Sequence, residues 1–256
     1  MIIIKIGGSA ISDKTKVAKP RLDRIRNIAR VIAEAARKIP SKLIVVHGGG
    51  SFGHPYVIRY GIDSGVHTRT QWKGFSKTRE SVLSLSFLLS KEFEKNGMKM
   101  AVISPFYFII QKNKKILRFD KSTIALAHKR GFTPLLHGDM VFDLKLGGSV
   151  CSGDAIVSYL GKDAEKIIFI IDVDGVLDNE GKTIRRIVSA DLKKVKGFFW
   201  DAGGYDVTGG IRKKLEEIMK IGKPAYIVGA DNLKGIENLI LGREEKKCTI
   251  IEARNR

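Results

Sequence analysis

Three glycine clusters with charged neighbours carry the chemistry that this sequence suggests. The first, Gly7 to Ser9, follows Lys5, and the second, Gly48 to Gly53, follows the apolar run Leu43 to His47. The third lies in Asp201 to Lys214. Glycine lets the backbone approach a ligand closely, and the amides of such turns attract anions, particularly where a helix begins. These clusters therefore predict binding sites for phosphate groups.

The second glycine cluster matches two familiar phosphate-binding patterns in part. Gly48, Gly50 and Gly53 fit GxGxxG, but no acidic residue follows about 20 positions on to hold a ribose. The same segment fits the start of a P-loop, yet His54 and Pro55 replace the lysine and hydroxyl residue that would meet the phosphates and Mg²⁺. A Walker A loop is thus excluded, and a nicotinamide-dependent oxidoreductase remains a weak alternative.

Basic side chains stand beside these turns. Lys5 has two interpretations. It is either a charge on an edge strand that reaches solvent, or a lysine beside a phosphate-binding turn at the carboxyl end of a strand. Lys14 in the loop ISDKTK is a solvated lysine in the simpler interpretation. A lone histidine such as His54 is commonly a packing or capping residue. At the rim of a glycine turn, it can instead donate to a phosphate and become charged near neutral pH.

Acidic residues follow two further predicted elements. Ser152, Gly153 and Asp154 open a helix, where they are either ordinary caps or part of a site. Asp172 to Gly175 follow the most hydrophobic strand, Lys166 to Ile171. The carboxyl ends of parallel strands are where nucleotides and Mg²⁺ commonly bind, although a simple turn could use the same residues.

Strands and helices alternate along the chain, which is typical of parallel βαβ units. We expect one α/β domain, a three-layer α/β/α sandwich with a mostly parallel central sheet. Predicted strands are Met1–Ile6, Leu43–His47, Lys99–Ser104, Phe132–Leu136, Lys166–Ile171, Ala225–Val228 and Lys247–Ile251. Predicted helices are Arg21–Lys38, Trp72–Lys95, Ser122–Lys129 and Asn232–Leu241. Hairpins are expected through Asn113 and over Met140–Val150. Residues Tyr56–Thr70 are expected to form a loop or hairpin that could act as a lid.

Composition excludes several classes of protein. The 256 residues are 43% hydrophobic, but no apolar run approaches the ~20 residues of a membrane span, so we expect a cytosolic protein without a membrane partner. Two cysteines outside any cluster argue against a disulfide framework or a thiolate metal site. The charge of +19 would suit a polyanion. The basic residues are spread over helices such as Arg21–Arg37 without an RNA-binding motif, which favours solvated helix faces over a nucleic-acid partner.

Six motifs occur in a specific order: KIGGS, VVHGGGSFGHP, HGD, SGD, DVDGV and DVTGGIRKK. With them, nearly the whole chain resembles the amino acid kinase superfamily. Within that superfamily, it looks most like the archaeal-type isopentenyl phosphate kinases. The histidine of GGGSFGH and the DVTGG stretch point to this branch, which the fosfomycin kinases partly share. Another phosphate or phosphonate acceptor, such as fosfomycin, is therefore the nearest alternative.

The resemblance implies an ATP-dependent kinase that converts isopentenyl phosphate to isopentenyl diphosphate, with release of ADP, in isoprenoid precursor synthesis. Mg²⁺ would come with ATP rather than be held by protein side chains, and the family's habit is a homodimer. The acceptor would bind mainly to residues 1–165 and the nucleotide mainly to residues 166–256.

The resemblance also implies roles for individual residues. The catalytic residues would be Lys5, Lys14, His54 and Lys214, with Lys213 as a neighbouring alternative to Lys214. The ATP site would contain Lys5, Gly7, Gly8, Ser9, Gly50, Asp172, Asp174, Gly175, Gly210 and Lys214. The acceptor site would contain Gly8, Gly49, Gly53, His54 and Gly153, and the helix over Trp72–Phe93 would contribute to an apolar pocket for the five-carbon tail.

The chemistry is consistent with this set of residues. A phosphate monoester already offers an anionic oxygen near neutral pH, because its second pKa is about 6. No strong general base is then required, and catalysis depends on alignment and on neutralising the charge of two anions brought together.

Overall fold

The computed structural model describes residues 1–40, 42–178, 180–188, 215, 217–219 and 221–252. Its strands are β1 (Ile2–Ile6), β2 (Leu43–His47), β3 (Met100–Val102), β4 (Ile109–Lys112), β5 (Lys115–Phe119), β6 (Thr133–His137), β7 (Asp139–Asp143), β8 (Gly147–Cys151), β9 (Lys166–Ile171), β10 (Arg186–Val188), β11 (Ala225–Gly229) and β12 (Thr249–Glu252). Its α-helices are α1 (Gly8–Ile11), α2 (Leu22–Ala36), α3 (His54–Arg59), α4 (Arg69–Lys95), α5 (Ser122–Lys129), α6 (Gly153–Leu160) and α7 (Leu233–Ile240).

Within these residues, the larger sheet has eight strands in the order β10-β12-β11-β9-β1-β2-β6-β3. Its neighbouring strands pair in parallel, except for the antiparallel pair β11–β12. The predicted mostly parallel sheet is confirmed. Strand β10 was not predicted; it has only three residues and pairs with β12 at the edge of the sheet.

Alternating side chains of β1 separate the two faces of this sheet. Ile2, Ile4 and Ile6 belong to the apolar core shared with α2, α4 and α7. Ile3 belongs to the core on the opposite face, which includes α5 and α6. Because successive strand residues point to opposite faces, Lys5 shares the face of Ile3. The sandwich therefore has three layers, as predicted.

The two predicted hairpins form a separate small sheet, with the strand order β5-β4-β7-β8. The parallel pairing of β4 with β7 joins the hairpins. Only the hairpins themselves could be anticipated, because pairing between them depends on contacts distant in sequence.

Two short helices differ from the expected local structure. Helix α1 begins at Gly8, directly after β1, where a glycine turn was expected. The loop or hairpin predicted over Tyr56–Thr70 is wrong at both ends, because α3 continues to Arg59 and α4 begins at Arg69. Pro55 lies in the first turn of α3, a position where its fixed backbone angle favours a helix. In the described part of the chain, none of the helices combines the length and apolar character needed to cross a bilayer.

Candidate active site

The carboxyl ends of four neighbouring parallel strands meet at one edge of the large sheet. Ile6, the last residue of β1, is in register with His47 of β2 and with Ile170 of β9. His47 is in turn in register with His137, the last residue of β6. The segments after these strands therefore lie side by side, where ligands commonly bind in open α/β sheets.

The first two glycine turns pack backbone against backbone. A Cβ atom added to Gly8 would lie 2.3 Å from the Gly50 nitrogen, and one added to Gly48 would lie 2.8 Å from the Gly8 nitrogen. Gly50 also has φ +49°, a conformation that disfavours other residues. Larger side chains would force the turns apart. The predicted phosphate-binding residues Gly7 and Ser9 flank Gly8 in this arrangement.

Lys5 lies in the interior of the sheet and is only 6% exposed, which excludes the edge-strand interpretation. Its Nζ atom is 3.0 Å from Oδ1 of Asp154. Asp154 lies in the first turn of α6, where Ser152 caps the helix by accepting from the Ala155 N–H. The SGD motif contained this aspartate, but the predicted acceptor residue was Gly153, so sequence reasoning missed the partner of Lys5.

Three of the predicted acceptor residues, Gly49, Gly53 and His54, lie around the start of α3. His54 is exposed and is the first residue of α3, while Gly53 is its N-cap. Gly49 and Gly53 face α4, since a Cβ atom added to either would lie 3.3 or 3.4 Å from Cγ2 of Val82. The glycine turn and α4 are thus in close contact. Lys14 is exposed, in the loop that follows α1.

Gly153 joins α6 to the ends of β2 and β6. A Cβ atom added to Gly153 would lie 3.2 Å from the His47 carbonyl oxygen. The same oxygen accepts a hydrogen bond from the Gly138 N–H at 3.0 Å. A Cβ atom added to Gly138 would lie 3.0 Å from the Gly153 nitrogen. The HGD and SGD motifs therefore form one tightly packed unit beside the second glycine turn.

Two buried histidines lie beneath the glycine turns. The rings of His47 and His137 stack with centroids 5.6 Å apart. Burial, with a smaller effect from the charge of His137, lowers the pKa of His47 to about 3. Burial also lowers the pKa of His137. Both rings are neutral near pH 7, so neither supplies positive charge to a bound phosphate.

A polar network that the sequence did not predict lies at the end of β6. The buried carboxylate of Asp139 accepts from the Ser104 hydroxyl at 2.7 Å and from the Met140 N–H at 2.8 Å. Arg79 of α4 has its Nε atom 3.4 Å from Oδ1 of Asp139, and its guanidinium lies 3.6 Å from the centroid of the Phe106 ring. This network connects α4 to the end of β6.

At the end of β9, Asp172 forms ion pairs with two arginines at the start of α2. Its Oδ1 atom accepts from Nη1 of Arg21 at 2.9 Å and also from Nη1 of Arg24. Arg24 additionally donates from Nε to Asp231, which follows β11, at 2.9 Å. The interpretation of Arg21 and Arg24 as solvated helix charges is therefore wrong, since both form ion pairs. Their carboxylate partners are distant in sequence and lie opposite α2 only in the folded chain.

The remaining residues predicted for the nucleotide lie on the same side. Gly175 has φ +134°, and a Cβ atom there would lie 2.7 Å from Oγ1 of Thr249. Asp174 is exposed, and its Oδ1 atom would be 2.4 Å from a Cβ atom added to Gly229. Gly210, Lys213 and Lys214 lie outside the described residues. Across the residues that are described, no group of three or more His, Cys, Asp or Glu side chains could hold a metal ion.

The described residues also form a cavity of about 470 Å³ at the opposite edge of the sheet. Its lining includes Met100, the first residue of β3, and Phe132, which precedes β6. These residues are at the amino ends of their strands, so this cavity is separate from the glycine turns.

Comparison with known proteins agrees with this arrangement. The isopentenyl phosphate kinase of Methanocaldococcus jannaschii is 33% identical over 255 residues, which cover 96% of each chain. That of Methanothermobacter thermautotrophicus is 31% identical over 268 residues, which cover 98% of each chain. A crystal structure of an isopentenyl phosphate kinase superposes with a TM-score of 0.82 at 29% identity, covering 98% of this chain and 99% of that one.

A family model described as the amino acid kinase family matches residues 1–228. This match includes every strand from β1 to β10 and therefore all of the strand ends and glycine turns described above, apart from the end of β11. The chain belongs to the amino acid kinase family.

Proposed function

We propose that the protein transfers the γ-phosphoryl group of ATP to isopentenyl phosphate, giving isopentenyl diphosphate and ADP. The observation that carries this proposal is the similarity to isopentenyl phosphate kinases over 96% and 98% of the length of those chains. The reaction would supply an isoprenoid precursor. The acceptor phosphate is already anionic near neutral pH, so the proposed reaction needs no general base.

Lys5 and Lys14 are proposed to neutralise the charge that develops on the transferring phosphoryl group. Lys5 is held in the sheet by its ion pair with Asp154, so its ammonium group is already positioned before substrates bind. Preorganised charge of this kind stabilises a transition state without a reorganisation cost at the moment of reaction. In this proposal Lys214, with Gly210, completes the positive field from the third glycine cluster.

The backbone of the two packed glycine turns is proposed to bind both phosphates. Gly7, Gly8, Ser9 and Gly50 would contact ATP. Gly49, Gly53 and Gly153 would contact the acceptor, with Gly8 contributing to both sides. His54 would donate to the acceptor phosphate. Support comes from the close approach of Gly8 to Gly50, which brings both anion sites together as an in-line transfer requires.

The nucleotide is proposed to lie over the ends of β9 and β11, against Asp174 and Gly175. Asp172 is already ion-paired with Arg21 and Arg24. We therefore propose that it shapes this side through those arginines rather than by holding metal. Mg²⁺ would arrive with ATP and would neutralise part of the phosphate charge. Chelation of Mg²⁺ should then abolish turnover, and addition of excess Mg²⁺ should restore it.

The five-carbon tail of the acceptor is proposed to lie against the first half of α4. Phe75 is buried there together with Ile62, Val66 and Met140 in a small apolar cluster of its own. Val82, two turns further along α4, contacts the glycine turn. Buried apolar side chains of α4 thus lie close to the proposed phosphate site. We also propose that the protein is a homodimer. Sedimentation equilibrium would measure the mass of the assembly in solution.

The test is ³¹P NMR of the protein with Mg·ATP and isopentenyl phosphate, beside fosfomycin, UMP and carbamate as competing acceptors. We expect a new diphosphate signal and ADP from isopentenyl phosphate, with far higher efficiency than from the other acceptors. Turnover only with a different acceptor would support the kinase function but refute isopentenyl phosphate as the substrate. No turnover with any acceptor would refute the kinase function.

A further inference from the structure

The hydroxyl group of Ser12 connects the two glycine turns from a fully buried position. Ser12 is 0% exposed and ends α1 as its C-cap residue. Its Oγ atom donates to the Gly8 carbonyl oxygen at 2.7 Å and accepts from the Ser51 N–H at 2.9 Å. One hydroxyl therefore uses both its donor and its acceptor capacity, each toward a different turn.

Ser51 in turn holds the loop that carries Lys14. The Ser51 carbonyl oxygen accepts from the Ala18 N–H at 2.9 Å, and its Oγ atom accepts from the Lys19 N–H at 3.3 Å. Ala18 has φ +50°, an uncommon conformation for a residue other than glycine. Such a conformation persists only where surrounding contacts impose it. The hydrogen bond to Ser51 is one such contact.

The loop is also closed at its base. Ser12 and Pro20 form an isolated antiparallel bridge, and the Asp13 N–H donates to the Lys19 carbonyl oxygen at 2.9 Å. Lys14 lies between these ends. Its position relative to the glycine turns therefore depends on the base of the loop and on the two hydrogen bonds to Ser51.

The space taken by the Ser12 hydroxyl is available only because residue 50 is glycine. A Cβ atom on Gly50 would lie 2.2 Å from Oγ of Ser12. The serine and the glycine are thus complementary: the hydroxyl fills the space that the missing side chain leaves. This complementarity ties the Ser12 contact to the same turn that is proposed to bind phosphate.

From these contacts we propose that Ser12 is a positioning residue for phosphoryl transfer. It holds Ser51, and Ser51 holds the Lys14 loop, so that Lys14 keeps one position relative to the two glycine turns. The inference rests on the proposed kinase function for its kinetic consequence, but the hydrogen bonds that it invokes can be tested without turnover. Ser12 itself contacts no substrate in this proposal.

A double-mutant cycle separates positioning from general loss of structure. Ser12→Ala leaves the Ser51 N–H without its acceptor and should lower kcat about tenfold, since small misplacements of a catalytic group are costly. In the Lys14→Ala protein, where no lysine remains to be positioned, Ser12→Ala should lower kcat less than threefold. Equal losses in both backgrounds would overturn the proposal.

Ser149 provides a matched control. It is also 0% exposed, and its hydroxyl is within hydrogen-bond distance of Gln111 and Asp143 in the small sheet. Ser149→Ala should change kcat by the same factor in the presence and in the absence of Lys14. Coupling of Ser149 to Lys14 as strong as that of Ser12 would show that the cycle reports only general destabilisation, and the proposal would fail.

Hydrogen exchange measures the same contacts without activity. Ser12→Ala should speed exchange at the Ser51, Ala18 and Lys19 amides about tenfold or more, while Ser149→Ala should leave them unchanged. If the unmodified protein is inactive with every acceptor, the kinase function fails but this exchange result still decides the role of Ser12 in holding the loop. Unchanged exchange in a folded Ser12→Ala protein would refute that role.

A second substitution covers the case in which Ser12→Ala does not fold. Ser12→Cys keeps a weaker donor and acceptor at the same place. It should give smaller effects of the same pattern, with exchange faster at the three amides and kcat reduced only when Lys14 is present. A folded Ser12→Cys protein with faster exchange at distant amides but not at these three would overturn the proposal.

Discussion

The ammonium group of Lys5 lies 3.0 Å from the carboxylate of Asp154 and is almost completely shielded from solvent. The pair joins the central strand β1 to the first turn of α6. A lysine in this position cannot rotate freely into solvent, because the pleat of the strand directs it toward α6. Its charge is therefore fixed between the first glycine turn and the helix that carries Gly153.

Replacing Lys5 should reduce catalysis much more than stability. Lys5→Met keeps a side chain of similar length but removes the charge, and we expect kcat to fall about 100-fold or more, the usual loss for one electrostatic contact to a transition state. Circular dichroism should remain that of the folded protein. Lys166→Met is the control, because Lys166 begins β9 at the opposite edge of the sheet. Near-normal kcat in Lys5→Met would contradict the assigned role.

Replacing His54 should affect the acceptor rather than ATP. His54→Ala removes an exposed donor at the start of α3, so we expect KM for isopentenyl phosphate to rise about tenfold or more, as for loss of a hydrogen bond to a charged group. KM for ATP should change less than twofold. His128→Ala serves as control, since His128 bonds the Leu43 carbonyl oxygen at the amino end of β2. A rise in KM for ATP alone would refute this assignment.

The layered fold and its functional edge could be predicted from sequence, because strands followed by glycines recur along the chain. Apolar strands of five or six residues need no partner information to be recognised. Parallel pairing then places their carboxyl ends at one edge. At this edge of the folded sheet, the backbones of the turns at Gly8 and Gly50 are in contact.

The side-chain partners within that edge could not be predicted. Asp154 resembles any acidic residue in a first helical turn, and only the folded sheet brings it to Lys5. Arg24 resembles a solvated helix charge until β9 and β11 place two carboxylates beside it. Ser12 resembles an ordinary loop serine. In each case the role depends on a neighbour distant in sequence, which periodicity and local motifs do not specify.

Gly50→Ala should be far more damaging than the same change at another glycine with positive φ. At Gly50 the new methyl group would meet Oγ of Ser12 and the Gly8 carbonyl oxygen at 2.2 and 2.6 Å, in addition to the strain of φ +49°. At Gly61, φ is +58° but nothing lies within 4 Å, so Gly61→Ala should cost only the backbone strain, about 1 kcal/mol. Urea unfolding should therefore show a larger loss for Gly50→Ala, with kcat also reduced. Equal losses of unfolding free energy at both sites would contradict the packed arrangement of the turns.

The buried histidine His47 should make the protein less stable as the pH falls from 7 to 5. Its pKa is lowered to about 3 in the folded chain, whereas an unfolded chain takes up a proton near pH 6.5. The unfolded state therefore binds the extra proton first, so the stabilisation is complete above pH 6.5 and is lost progressively as the pH drops toward 3. By pH 5 the loss from His47 should be about 2 kcal/mol, with a further contribution of the same sign from His137. Carboxylates contribute little above pH 5, because their unfolded pKa values are near 4. Urea unfolding at pH 5, 6 and 7 measures how the free energy of unfolding changes with pH. His47→Gln should reduce this change. An unchanged pH dependence in that variant would show that the ring of His47 is not held neutral by burial.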